Sequence, residues 1–360
     1  MQKETRENET PVTEKKTKRR RNPWKTAAVV FGVLVLFIGL VLLGGRIWFR
    51  LPVKEYYGAS EAAFAIPGLA DGFVPQGLAF DEESGAYLVG GYMTGKGKAS
   101  PVYVVDAKTG ELKAHASLTN ADGTPFTGHA GGLAVRDCNV YVAGNGCLHL
   151  FDRDEILAAG DGAEVQCLGQ IAVPLAAEDT LGVSWVDIRS DGEEALLTVG
   201  EFYKNPEYKT PESHKFSAPS GERLQALAVT YRLSEDGGSL TPLKAYALPD
   251  LVQGFTVHDG KLWLSTSWGT GFSHISAYDE NSLEAFRSID VNGTAVPLFA
   301  LDSAARTADY KIAPMSEEIL FTADGKLLTM CESASRKYYF GLLTGGQWCY
   351  ATDLGKMTPQ

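Results

Sequence analysis

VQGFTVHDGKLWLSTS, residues 252–267, reads as two short apolar strands joined by an Asp-Gly pair. Glycine accepts the positive φ of a tight hairpin turn and aspartate tolerates it. The unit recurs. Its first strand returns as PQGLAF (75–80), AGGLAV (130–135), VSWVDI (183–188) and SEEILF (316–321). Its second returns as AYLVGG (86–91), VYVAGN (140–145), LLTVGE (196–201) and LLTMCE (327–332), and Asp191-Gly192 and Asp324-Gly325 repeat the turn. Third strands follow as VYVVDAKTG (102–110), CLHLFDRD (147–154), LAVTYRLS (227–234), HISAYDEN (274–281) and WCYATDLG (348–355). Fourth strands are less regular: AHASL (114–118), QCLGQIAV (166–173), KAYALPD (244–250) and LEAFRSIDV (283–291).

Four antiparallel strands per unit, repeated around an axis, predict an all-β chain folded as a β-propeller. No 10–15-residue amphipathic helix separates the strands, which argues against a parallel α/β sheet. Five blades is the first reading; six, with one hidden in 292–314, is the alternative. AFAIPGL (63–69) resembles the fourth strand AYALPDL (245–251), and little chain follows WCYATDLG. The N-terminal strand is therefore expected to complete the last blade and leave no free sheet edge. The first strands lie 53–69 residues apart, longer than a blade of about 40–45 residues. Segments 202–224 and 292–314 are read as the main insertions, where a rigid scaffold usually carries its binding residues.

Ahead of the repeats, AAVVFGVLVLFIGLVLLGG (27–45) is uncharged over nineteen residues. As a helix it is about 28 Å long, close to the ~30 Å hydrocarbon core of a bilayer. Lys15, Lys16, Lys18, Arg19, Arg20, Arg21 and Lys25 precede it, and only Arg46 and Arg50 follow closely. That asymmetry places the N-terminus in the cytoplasm. Arg46-Ile47-Trp48-Phe49-Arg50 lacks the small residues of a signal-peptidase site, favouring an uncleaved anchor. The organisation is thus a basic cytoplasmic tail (1–25), a transmembrane helix (26–49) embedded in the lipid bilayer, a linker (50–62) and an extracytoplasmic propeller (63–360). Residues 50–360 carry 23 Lys/Arg against 40 Asp/Glu, a surface that repels phosphate backbones and excludes nucleic acid as a partner.

The segments GFVPQGLAF, GTPFTGHAGGLAV, TVGEFY, VQGFTV with STSWG, VPLFALDS, and APMSEEI with ESASRKY occur in that order. As a set they resemble a group of uncharacterised secreted or membrane-anchored bacterial propeller proteins, mainly of Gram-positive type, over nearly all of 63–355. In architecture the chain also resembles calcium-dependent lactonases and phosphotriesterases, a likeness that does not carry function.

Inner strands surround a propeller's axis, so residues at their starts gather at one channel mouth. Aligning the first strands places Gln76, Gly131, Ser184, Gln253 and Glu317 in one column. Aligning the ends of the second strands places Gly91, Asn145, Glu201, Ser267 and Glu332 in another. His129 precedes the second blade, and Trp185, Phe202, Tyr203 and Trp268 are expected to form an apolar rim. The expectation is a small-molecule, glycan or peptide pocket. Glu201, Glu317 and Glu332 would supply oxygen ligands for Ca²⁺ or Mg²⁺, or a raised-pKa acid/base pair. A metal-assisted hydrolase or lactonase is the second reading, and an interaction scaffold for an envelope protein the third.

Several sharper motifs fail. GGYMTGK (90–96) lacks the Ser/Thr of a phosphate loop and joins two strands, and there is no G-x-S-x-G, H-E-x-x-H or Cys-x-x-Cys. Asn292-Gly293-Thr294 matches a glycosylation acceptor only by a three-residue coincidence. Of five cysteines, Cys138 with Cys147 and Cys331 with Cys349 are the candidate disulfides, and Cys167 is left over.

Overall fold

The computed structural model describes residues 23–192, 194–338 and 340–360; all of the basic tail before Pro23 lies outside them. The chain divides into two units, Met1–Gly45 and Arg46–Gln360. In the first, the helix that begins at Pro23 and runs to Arg50 has no buried residue. It is long and apolar enough to cross a membrane, as an anchor or as a signal sequence.

The second unit is a five-bladed β-propeller. The inner strands are Phe73–Asp81, Gly132–Arg136, Trp185–Asp191, Val252–His258 and Ser316–Phe321, and each packs on the next and the last on the first. Blade 5 consists of Ser316–Phe321, Leu327–Cys331, Trp348–Thr352 and, outermost, the N-terminal strand Ser60–Ala65. Ser60 pairs with Thr352 and Ala65 with Trp348, antiparallel. Chain start and chain end thus share one sheet. The closing strand begins three residues earlier than the sequence suggests, inside the expected linker, which also forms the short helix Lys54–Ala59.

Two blades are larger than their repeats. In blade 4 the fourth strand is Arg306–Ile312, not 283–291. Strands Ala285–Val291 and Thr294–Ala300 instead form a hairpin whose second strand adds in parallel to Leu240–Leu248 of blade 3. Its turn is Asn292-Gly293, with φ of 51° and 83°. Asn-Gly is a strong hairpin signal, so the apparent glycosylation triplet is turn chemistry. In blade 1 a fifth strand, Asp161–Gln166, pairs in parallel with Leu112–Thr119.

The apolar core is divided into five clusters, one between each pair of neighbouring blades. Between blades 3 and 4, Trp185 stacks on Phe255 with centroids 5.3 Å apart. Each fully buried Leu, Val or Phe contributes about 1.5–3 kcal/mol, so the interfaces supply most of the gain that opposes chain entropy. All five cysteines are free. The proposed Cys138–Cys147 bridge is ruled out by strand length, because the six-residue strand Asn139–Gly144 separates the two thiols. Cys331 and Cys349 are buried thiols in adjacent strands of blade 5, not a disulfide.

The inner strands meet around one side chain. Glu318 of blade 5 accepts the N–H of Leu78 in blade 1 at 2.6 Å and of Leu133 in blade 2 at 2.9 Å. The Val186 N–H of blade 3 also bonds to it. Room for it exists because Gly132 and Gly254 lack side chains. A Cβ on Gly132 would sit 3.0 Å from Glu318 Oε1, and one on Gly254 2.7 Å from Glu318 Cα. Burial raises the Glu318 carboxyl well above the usual glutamate range, and the N–H donors oppose that rise. Glu318→Ala should therefore lower the melting temperature sharply, because each buried N–H left without an acceptor costs about 1–3 kcal/mol. Glu318→Gln, which retains one carbonyl acceptor and the volume, should lose less. Thermal unfolding of both variants checks the ranking, and wild-type melting of Glu318→Ala would refute it.

Candidate ligand-binding site

At the mouth formed by the starts of the inner strands lies a cavity of about 720 Å³, within the ~300–1,000 Å³ range of small-molecule sites. Ten sequence-predicted residues line it: Gln76, His129, Gly131, Asn145, Ser184, Phe202, Gln253, Trp268, Glu317 and Glu332. Gly91 and four others do not. Trp185 is fully buried against Phe255, Tyr203 and Ser267 are buried, and Glu201 is buried in a separate cluster.

The reason is strand parity. Successive side chains in a strand face opposite sides, and the column drawn at the ends of the second strands is one residue early in three blades. The cavity receives Tyr92 rather than Gly91, Phe202 rather than Glu201 and Trp268 rather than Ser267. A signal for this existed: each of those strands is followed by an aromatic, in GGY, GEF and TSW. Asn145 and Glu332 keep the expected position. Lys337, Tyr338 and Tyr208 also line the cavity. They come from loops that the repeat does not constrain; Tyr208 falls in the expected insertion 202–224, and no pattern in the sequence points to Lys337 and Tyr338.

The cavity floor is rich in acceptors. Gln253 Nε2 donates to Glu317 Oε1 at 3.3 Å, and Gln76 Nε2 to Glu332 Oε2 at 3.2 Å. Tyr338 O–H donates to Glu332 Oε1 at 2.8 Å. Burial, and after it the negative charge of Glu332, holds the Glu317 carboxyl well above its usual range; burial also lifts Glu332. Two such groups retain a proton between them where free glutamates are ionised. On one wall Trp268 lies 6.0 Å from both Phe202 and Tyr208, ring centroid to centroid. On the other His129 stacks on Tyr92 at 4.7 Å, and the Lys337 ammonium, which donates to the Tyr92 O–H, lies over the Tyr92 and Tyr338 rings. Partial desolvation and then the Lys337 charge lower the His129 pKa, so its ring is neutral at pH 7.

Glu201 has a different role. His214, 1% exposed, places Nδ1 2.7 Å from Glu201 Oε1 and Nε2 2.9 Å from Asp179 Oδ1. Glu201 also accepts the N–H groups of Gly182 and Leu227, each at 3.0 Å. Both ring nitrogens face carboxylates, so the clamp is complete with imidazolium. Burial would lower the His214 pKa, but the two carboxylates outweigh it and raise it. The clamp pins segment 202–224 beneath the cavity wall at Gly182 and Phe202. The expected oxygen set of Glu201, Glu317 and Glu332 is therefore not assembled. Among the described residues, no group of three or more His, Cys, Asp or Glu is placed to hold a metal ion.

No known protein-family model matches the chain, and no curated protein matches it by sequence. The resemblance to Gram-positive propellers therefore has no matching family behind it. Solved structures of propeller enzymes do align. Glutaminyl cyclase of Myxococcus xanthus aligns at 10% identity over 81% of this chain and 94% of that one, with a TM-score of 0.39. An exo-β-1,3-galactanase of Phanerochaete chrysosporium aligns at 12% over 84% and 65%, TM-score 0.46. A GH43_1 enzyme of Xanthomonas citri aligns at 14% over 83% and 90%, TM-score 0.40. At such distances the likeness is one of fold and carries no chemistry.

Two pH dependences follow. The raised pKa values of Glu317 and Glu332 mean that stability is lost as pH rises from about 4.5 through those values. Glu332→Gln should flatten that loss and melt above wild type at neutral pH, a difference that disappears in acid; melting curves across pH test it. His214 has the complementary sign. Its contribution is full below about pH 6.5 and fades as pH rises through the raised value. His214→Ala should cost about 3 kcal/mol at the acidic end, as breaking a buried ion pair does, and less in alkali.

Proposed function

We propose that the chain is a single-pass membrane protein, N-terminus in the cytoplasm, whose extracytoplasmic propeller binds a neutral, hydroxyl-rich small molecule or glycan fragment in the axial cavity. The membrane half rests on the apolar helix and on the basic residues that precede it. The binding half rests on one observation: an acceptor-rich floor beneath a wall of aromatic rings. Gln76 and Gln253 spend their N–H groups on Glu332 and Glu317. Their carbonyls and the carboxyl oxygens are left to accept from ligand hydroxyls. The proton held by the glutamate pair and the charge of Lys337 bring the cavity close to neutrality, which favours an uncharged polyol over a cation or an anion. Trp268, 40% exposed and lining the cavity, supplies aromatic surface for the C–H groups of a sugar.

A hydrolase is the second reading, favoured by the protonated glutamate pair, since one carboxylic acid beside one carboxylate is the pairing of general acid and base. It needs no metal.

Thermal unfolding of the full-length protein in detergent, against neutral saccharides, amines and divalent cations, separates these readings. Saccharides alone should raise the melting temperature, by mass action on the folded state. Trp268→Ala should weaken that binding about tenfold, equivalent to about 1.4 kcal/mol. A response to amines or cations only, or to nothing, would overturn the binding proposal. Release of sugar that stops in Glu317→Gln would establish the hydrolase.

A further inference from the structure

Segment 332–346 of blade 5 carries two kinds of residue on one loop. Tyr338 and Lys337 line the cavity, while Phe340 stacks on Phe49 with centroids 5.4 Å apart and planes 15° from parallel. Other contacts fix the same meeting. The Tyr57 O–H donates to the Thr344 carbonyl, Tyr350 O–H donates to the Gly345 carbonyl at 3.1 Å, and the Arg50 guanidinium lies 4.0 Å over the Tyr57 ring. Residues 46–51 therefore lie on the cavity side of the ring, against blade 5.

The surface built there is unlike the rest of the propeller. Trp48, Leu51 and Leu342 are 74%, 62% and 78% exposed. RIWFRL (46–51) and RKYYFGL (336–342) carry four cations and no acid, on a unit with a large acidic excess. At the opposite end of the inner strands the hairpin turns present Asp137, Asp259 and Asp324, with side chains 70%, 87% and 63% exposed. Apolar side chains among cations match the interfacial zone of a bilayer with an anionic surface. The chain itself names the occupant, because Arg46 follows directly on the uncharged run 27–45.

We infer that this patch, Trp48, Leu51 and Leu342 among Arg46, Arg50 and Arg336, docks the propeller on an anionic lipid surface with the cavity mouth beside it. The inference rests on the helix being inserted in the membrane. Phe340 lies 6.0 Å from Tyr338, and Tyr338 bonds to Glu332. The docked surface and the cavity floor are thus two side chains apart, and a ligand arriving along the membrane enters at this rim.

The test is photocrosslinking of the full-length protein in phosphatidylglycerol vesicles, with p-benzoylphenylalanine in place of Leu36, Leu342 or Asp259, one at a time. Lipid adducts are expected from positions 36 and 342 and none from 259, with a several-fold lower yield at 342 in phosphatidylcholine. Adducts at 36 without adducts at 342 overturn the docking and leave the anchor standing. Absence at both overturns the membrane reading as well. Equal yields at 342 and 259, or a yield at 342 indifferent to lipid charge, also overturn the inference. Melting of the 342 variant at the wild-type temperature shows that the exposed site tolerates the probe.

Discussion

A propeller must bring several inner strands to one axis, where backbone polar groups lose water and have no neighbouring strand to bond. Here the problem is met by a carboxyl group. Glu318 takes N–H groups from three other blades and packs where Gly132 and Gly254 leave room. An apolar side chain in its place would leave those donors unpaired, and a longer one would push the strands apart. The ring's closest approach is thereby set by one residue from its last blade.

The neighbouring glutamate faces a different task. Glu317 and Glu318 lie in the stretch of blade 5 where the register is irregular, between Ser316 and Ile319. One serves the cavity and the other the axis. Two consecutive acids, both buried and both with raised pKa values, are a local cost that the five inter-blade cores absorb. The Glu201–His214–Asp179 clamp adds a third polar cluster, which is buried and saturated by its own partners and so has nothing left to offer a ligand.

The repeat was legible because each blade reuses one hairpin, and the closing strand was legible because 63–69 copies a fourth strand. Side-chain parity was legible only through the aromatic that follows three of the second strands, in GGY, GEF and TSW. A column drawn through Glu201 and Ser267 looks as regular as one drawn through Phe202 and Trp268, and a shift of one residue exchanges buried for exposed. The fourth strand of blade 4 was missed for another reason: Ala285–Val291 has the right length and apolarity, and only its Asn-Gly turn reveals that it pairs with the segment after it. Cavity residues on loops, Lys337 and Tyr338 among them, depend on tertiary position alone.

Sharing blade 5 between residues 60–65 and 316–352 has a consequence for biogenesis. The outermost strand is among the first parts of the propeller to leave the ribosome, and its partner is among the last. Until Trp348–Thr352 emerges, Ser60–Ala65 has no strand to pair with, and blades 1 to 4 form an open arc with exposed flanks. The ring therefore closes only after the last strand of blade 5 has been made. Throughout translation its early strand must be kept from pairing with other chains.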